Sequence, residues 1–171
     1  MSHEIRTPVT AISGFTEQLL QEPCDEKTLR SLKVIKSTAD HLERIINDIL
    51  DFSKLQDGKM PLEKVHFSIT RVLEEVYSMF EAQASKNNTH LSFSTEENIP
   101  QVLIGDPYRL KQIIINLVSN SIKFTREGTV SFSASVVSKE GQEVDLILKF
   151  ADSGIGIDES KLDFIFEDFT Q

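Results

Sequence analysis

The stretch Ser2-His3-Glu4-Ile5-Arg6-Thr7-Pro8 sets a nucleophile, a base and a hydroxyl within one helical turn. On a helix His3 and Thr7, four apart, share a face, and Glu4 is the next residue round and reaches the same imidazole. A carboxylate beside a histidine can orient the ring and take its proton, which activates the ring as a nucleophile. Pro8 has no N–H to donate to the Glu4 carbonyl, so the spacing predicts a helix that bends or loosens just after His3.

A second set of reactive types lies far along the chain. Asp106-Pro107 predicts an N-cap and first turn for a helix running to about Phe124. Within it Asn116, Asn120 and Lys123, at offsets of four and three, project from one face, while Ile113, Leu117 and Val118 are expected toward another side as core anchors. Two amide oxygens and an ammonium suit a magnesium ion with its phosphates, since magnesium prefers oxygen ligands and keeps several waters. The alternative is a solvated face; Asn is a mediocre helix former, so two of them mid-helix weaken that alternative without removing it. Asp152-Ser153-Gly154-Ile155-Gly156-Ile157 follows a strand expected to end at Phe150. Its glycines would let backbone approach a flat ligand while the Asp152 carboxylate accepts a hydrogen bond from it. Taken alone that hexapeptide is as common as any tight turn. The chain holds no Walker sequence, no G-x-G-x-x-G and no protein-kinase catalytic loop.

These groups need elements to position them. Ile5, Val9, Ile12, Phe15, Leu19 and Leu20 recur at helical spacing until Glu22-Pro23, and a second helix from near Asp25 carries Leu32, Ile35, Ala39, Leu42, Ile46 and Ile49. Residues 1–58 thus read as a helical hairpin. Its apolar stripe is too wide for one partner helix, so Ile46 and Ile49 are expected to stay in water unless a second copy completes a four-helix bundle. Asp57-Gly58-Lys59-Met60-Pro61 reads as a helix stop and turn, with a second domain over 62–171. There Val65, Phe67 and Ile69 alternate as a strand, Val72 to Ala84 form a helix, Leu91 and Phe93 alternate again, and Thr129–Val137 with Val144–Phe150 form a hairpin. Strands and helices interleave without a regular repeat, so the fold class is α+β, with the second domain an α/β sandwich of helices over one face of a mixed sheet.

Composition removes several function classes. With 18 Lys plus Arg against 27 Asp plus Glu, the net charge of -9 argues against a phosphate-backbone footprint, so no nucleic-acid partner is expected. No apolar run approaches the roughly 20 residues of a bilayer span, so this segment is expected to make no membrane contact. Cys24 is the single cysteine and His3, His41, His66 and His90 are scattered, which leaves no disulfide framework and no zinc-ligand spacing and fits a reducing, cytoplasmic setting. Isolated helices need about 12 to 15 residues to be more than marginal, so a reactive His3 almost at the first residue predicts an excised piece of a longer chain.

The opening heptapeptide closely resembles the phospho-acceptor box of two-component sensor histidine kinases. Residues Asn116 to Thr125, Asp152 to Ile157 and Phe164 to Gln171 are similar to that family's asparagine, first glycine and phenylalanine boxes, in the family's order. The resemblance implies a dimerisation and phosphotransfer hairpin joined to a Bergerat-type ATP-binding domain, with ATP and Mg²⁺ as cofactors. It implies His3 as the phosphorylated residue, Glu4 as its base and Thr7 as the residue that orients water for dephosphorylation of a response-regulator receiver domain. It also implies Asp152 as acceptor for the adenine amino group, Asn116 and Asn120 on magnesium and phosphates, Lys123 on phosphates, Phe124 on the adenine-proximal wall, and Gly154 and Gly156 in the base loop. Ser121 stands where Ala is commoner and Asp168 where Pro is commoner. The chain ends at Gln171, before the second glycine box and most of the lid, so this piece is expected to bind ATP poorly and to leave His3 unphosphorylated. The intact protein is expected in the inner membrane. Rival readings are a protein whose main output is regulator dephosphorylation, a dimerising or docking module, and an ATPase of the gyrase class, which would have no use for the opening seven residues.

Overall fold

The computed structural model describes residues 2–58 and 60–162, without the side chains of residues 2–6. The chain divides after Pro61 into two compact units.

The first unit is two helices, α1 (Ser2–Leu20) and α2 (Glu26–Gln56). Helix α1 runs through Pro8 as one uninterrupted helix, so the expected loosening after His3 does not break it. Asp25 caps α2: its carboxylate accepts from the Thr28 amide (2.8 Å) and hydroxyl (2.9 Å), which hold its pKa below the ordinary value. Gly58, in the left-handed region at φ +63°, follows the helix end at Asp57. Along the seam α1 buries Val9, Ser13 and Thr16, and α2 buries Leu32, Ala39 and Ile46. Ile46, 8 % exposed, is therefore covered inside the hairpin, whereas Ile49 is 52 % exposed as expected. Ser13 donates to Asp40 Oδ1 (3.1 Å) and accepts from Lys36 Nζ (2.9 Å), and Lys36 also donates to Asp40 (2.8 Å). A half-buried hydroxyl between helices thus gains two partners, and the triad ties one register of α1 to α2.

The second unit comprises β1 (Val65–Phe67), α3 (Ile69–Lys86), β2 (His90–Thr95), β3 (Leu103–Gly105), α4 (Pro107–Phe124), β4 (Thr129–Glu140), β5 (Glu143–Asp152) and a short 3₁₀ turn at Glu159–Lys161. Ile69, expected in the first strand, instead opens α3 and is buried, because Ser68 takes the N-cap position and accepts from the Arg71 amide. β4 and β5 run further toward the turn than alternation predicts, with an irregularity between Val136 and Ser138. Among the described residues the strands form two sheets rather than one. β1 pairs antiparallel with β3, and β2 pairs parallel with β4, which pairs antiparallel with β5. One face of the larger sheet buries Leu91, Val130, Phe132 and Ala134 against Val72, Leu73, Val76, Ile114, Val118 and Ile122 of α3 and α4. The ring pairs Phe93–Phe132 (5.9 Å) and Phe132–Phe150 (6.3 Å) stack across the three strands at facing register positions. This core fixes α4 over the sheet, and α4 carries the polar stripe.

Candidate functional site

The second half of α4 and the end of β5 converge. Asp106 starts the helix, accepting from the Arg109 amide (2.9 Å) and from the Glu63 amide (3.1 Å), and the first of these bonds is the main reason its pKa lies below the ordinary value. From that start the helical phase turns Ile114, Val118 and Ile122 inward, each fully buried. Ile113 and Leu117, expected in the core, are 56 % and 38 % exposed. They share the outer face with Asn116, Asn120 and Phe124, because the inward arc lies one residue further along than apolar content suggested.

Asp152 is the last residue of β5, opposite Val130, so the strand runs two residues beyond Phe150. Its carboxylate is held at both oxygens: Oδ1 accepts from the Gly154 amide (3.0 Å) and Oδ2 accepts from the Ser121 hydroxyl of α4 (3.2 Å). The following turn presses on the helix end, with the Ile155 amide donating to the Phe124 carbonyl (3.3 Å). A Cβ at residue 154 would lie 2.6 Å from that carbonyl oxygen, 2.9 Å from Asp152 Oδ1 and 3.0 Å from the Thr125 hydroxyl, so only glycine fits there. Gly156 has φ +69°. Gly128 is equally tight, because a Cβ there would overlap Ser153 Oγ, which accepts from the Thr129 amide.

Beside this turn opens a cleft of about 360 Å³ lined by Lys123, Phe124, Arg126, Ser153, Gly154 and Ile155. Lys123 Nζ sits 5.0 Å from the centre of the Phe124 ring. The hydroxyl of Thr125 is fully buried and has no hydrogen-bond partner. A polar atom left unsatisfied next to an open cleft is a cost that a bound water or ligand can remove. Among the described residues no group of three His, Cys, Asp or Glu side chains could hold a metal, so the donors on hand are the exposed Asn116 and Asn120. Neutral amide oxygens hold a hard cation only with phosphate oxygens beside it. The glycine cradle, the orphaned hydroxyl and this donor set fit a magnesium–nucleotide.

The structure brings Lys123, Phe124, Asp152 and Gly154 together and places Asn116 and Asn120 on the exposed face of the same helix. His3 and Thr7 fall one turn apart on α1, with Thr7 exposed; the side chains of His3 and Glu4, and the whole phenylalanine box from Phe164, lie outside the described residues. Reading by residue type passed over Arg126 and Ser121. Arg126 adjoins the Lys123-Phe124-Thr125 run and could have been read as a second cation; nothing local in the sequence pairs Ser121 with a residue thirty-one positions away.

Residues 1–58 match the His Kinase A (phospho-acceptor) domain, and residues 105–171 match the histidine kinase-, DNA gyrase B- and HSP90-like ATPase. The chain belongs to the two-component sensor histidine kinases. Over all of its 171 residues the kinase chain is 40 % identical to the sensor histidine kinase GacS of Pseudomonas protegens and 37 % identical to the signal transduction histidine-protein kinase BarA of Escherichia coli. It spans 19 % of the length of each of these curated relatives. A crystal structure of full-length ShkA in complex with AMPPNP superposes with a TM-score of 0.81 at 26 % identity, over 99 % of the kinase chain and 36 % of ShkA. The catalytic domain of histidine kinase ThkA, nucleotide-free, matches 64 % of the kinase chain and 68 % of its own at a TM-score of 0.52 and 28 % identity. The kinase chain is thus a helical N-terminal unit followed by an α/β unit of the histidine kinase ATP-binding fold. Among the described residues no helix is long and apolar enough to cross a membrane.

Proposed function

We propose that this chain holds the dimerisation and phosphotransfer hairpin (1–58) and the ATP-binding domain (62–171) of a kinase that phosphorylates its own His3 and passes the phosphoryl group to a response-regulator aspartate. The observation that carries the reading is that Gly154 and the Lys123–Phe124 end of α4 line one cleft, with the Asp152 carboxylate bonded to the Gly154 amide at its edge.

ATP, when bound with Mg²⁺, supplies the γ-phosphoryl group and a cation that offsets its charge. Asp152 accepts from the exocyclic amino group of the base, and Gly154 and Gly156 let the turn approach its plane. Phe124, which lines the cleft, would cover one side of the base. Asn116 and Asn120 would offer amide oxygens to the metal, and Lys123 would neutralise phosphate oxygens. His3 presents a neutral ring nitrogen as nucleophile, and Glu4 holds the other nitrogen and draws off its proton. Thr7, one turn on, orients water for the reverse task, removal of phosphate from the regulator. The hairpin pairs with a second copy: Ile12, Phe15 and Leu19 of α1 and Ile35, Leu42 and Ile49 of α2 are each at least 44 % exposed, more apolar surface than a solitary two-helix unit covers. The segment works on the cytoplasmic side of a protein anchored in the inner membrane.

The test is incubation of the intact kinase with γ-labelled ATP. Acid-labile label that disappears in His3→Gln is expected; label that persists in that variant, or none in either protein, removes the reading.

A further inference from the structure

Asp152 recognises a base only if its carboxylate plane is set. The terminal torsion of Asp is broad and two-fold, and this side chain is exposed, so packing does not set it. Two hydrogen bonds do. The Gly154 amide, part of the same turn, donates to Oδ1 at 3.0 Å, and the Ser121 hydroxyl, from a different element, donates to Oδ2 at 3.2 Å. Backbone alone would leave one oxygen free to swing. Ser121 is half-buried on a helix whose phase is locked by Ile114, Val118 and Ile122, so its hydroxyl is delivered from a rigid support. Each carboxylate oxygen retains a lone pair after these bonds.

We propose that Ser121 is a positioning and specificity residue of the nucleotide site, clamping Asp152 so that the cleft selects a base bearing an exocyclic amino group. This rests on Asp152 being the base acceptor. Because the contact is to a carboxylate, its loss affects ligands that use the carboxylate and spares those that do not. Ser121 touches neither the phosphates nor the metal face, where Asn116, Asn120 and Lys123 sit, so its contribution falls on the base alone.

The experiment follows backbone amide shifts of the isotope-labelled chain while ADP or IDP is added with Mg²⁺, a readout that measures millimolar as well as micromolar binding. IDP carries a carbonyl oxygen where ADP carries the amino group. In Ser121→Ala the Gly154 amide resonance is expected to move before any nucleotide is added. The Kd for ADP should then rise about 3- to 10-fold, the worth of part of one charged hydrogen bond at an exposed site. The Kd for IDP should stay put, and Ser121→Thr, which keeps the hydroxyl, should restore the preference. Equal weakening of ADP and IDP would make Ser121 merely structural and overturn the proposal, as would an unchanged ADP to IDP ratio. Asp152→Ala, which removes the acceptor, separates the underlying reading: if it binds ADP as well as the unaltered chain, Asp152 is not the base acceptor and both ideas fall. If it loses ADP while Ser121→Ala does not, only the clamp is wrong. No shift with ADP at millimolar concentration would remove the nucleotide site itself and the clamp with it.

Discussion

The two units solve the burial problem differently. The α/β unit buries a continuous core: Ile69, Leu73, Val76, Ile114, Val118, Ile122, Val130 and Phe132 are each 2 % exposed or less, drawn from two helices and one strand. The helical hairpin buries only a seam, with Val9, Leu32, Ala39 and Ile46 at 5 to 8 % and larger side chains such as Phe15 at 69 % left outside. Two helices have one mutual contact line, and a stripe wider than that line stays wet. A sheet with helices on one face has no such limit. The α/β unit thus encloses a continuous core, while the hairpin leaves apolar side chains such as Phe15 and Ile49 exposed.

The comparison can be broken most forcefully at the hairpin's chemistry. In the intact kinase His3→Gln should abolish autophosphorylation, and Glu4→Gln should slow it by roughly 10²- to 10⁴-fold, the usual worth of a positioned base. Thr7→Ala should leave label on His3 nearly unchanged and depress release of phosphate from the regulator. Label lost in Thr7→Ala would merge two roles kept apart here.

Next in size is the core. Leu73→Ala or Ile114→Ala should destabilise the α/β unit by about 2 to 5 kcal/mol, since each removes a fully buried side chain from a packed interior. Denaturant unfolding followed in that unit checks it, and a change near zero would mean the core repacks around the void. Ile49→Glu, by contrast, should barely alter unfolding of a monomer but should weaken self-association at least about 10-fold, because a charge replaces an apolar contact. Sedimentation over a concentration series reads this directly. A monomer throughout, for the unaltered chain, would show that the exposed stripe serves a different partner.

The smallest effect concerns pH. The hydrogen bond from Lys36, then burial and the Ser13 bond, set the Asp40 carboxyl, with the net shift downward, while the same Lys36–Asp40 bond holds the ammonium above its usual value. For Asp40 the folded value lies below the unfolded one, so its contribution is full above an unfolded value of about 3.9 and is lost as pH falls through the folded value. For Lys36 the contribution is present below an unfolded value of about 10.4 and is lost as pH rises through the folded one. Melting of the hairpin should therefore soften slightly at both ends of that window. In Asp40→Asn the acid limb should flatten, and an identical limb would assign the softening to other carboxylates.

Much of this was legible from local pattern. Asp25, Asp106 and Gly58 announce helix ends because capping chemistry involves residues within one turn of each other. The reactive types were legible for the same reason: His3 with Thr7, Asn116 with Asn120, and Asp152 with Gly154 each lie within a few positions of each other. Where local signals competed, the expectation missed. Ile69 alternates with Phe67 yet goes to the helix, because Ser68 caps it; Ile113 and Leu117 are apolar yet face outward, because the inward arc was already filled by Ile114, Val118 and Ile122.

By itself the sequence determined the main element types and the side-chain chemistry that marks the family, since both depend on spacing along the chain. Only tertiary structure decided that the described strands split into two sheets, that Ser153 and Phe124 leave no room for a side chain at Gly128 and Gly154, and that the Ser121 hydroxyl meets Asp152. Hydrogen bonds and excluded volume act through space at a few ångströms, and the residues they join here are brought near only when α4 is packed on the sheet.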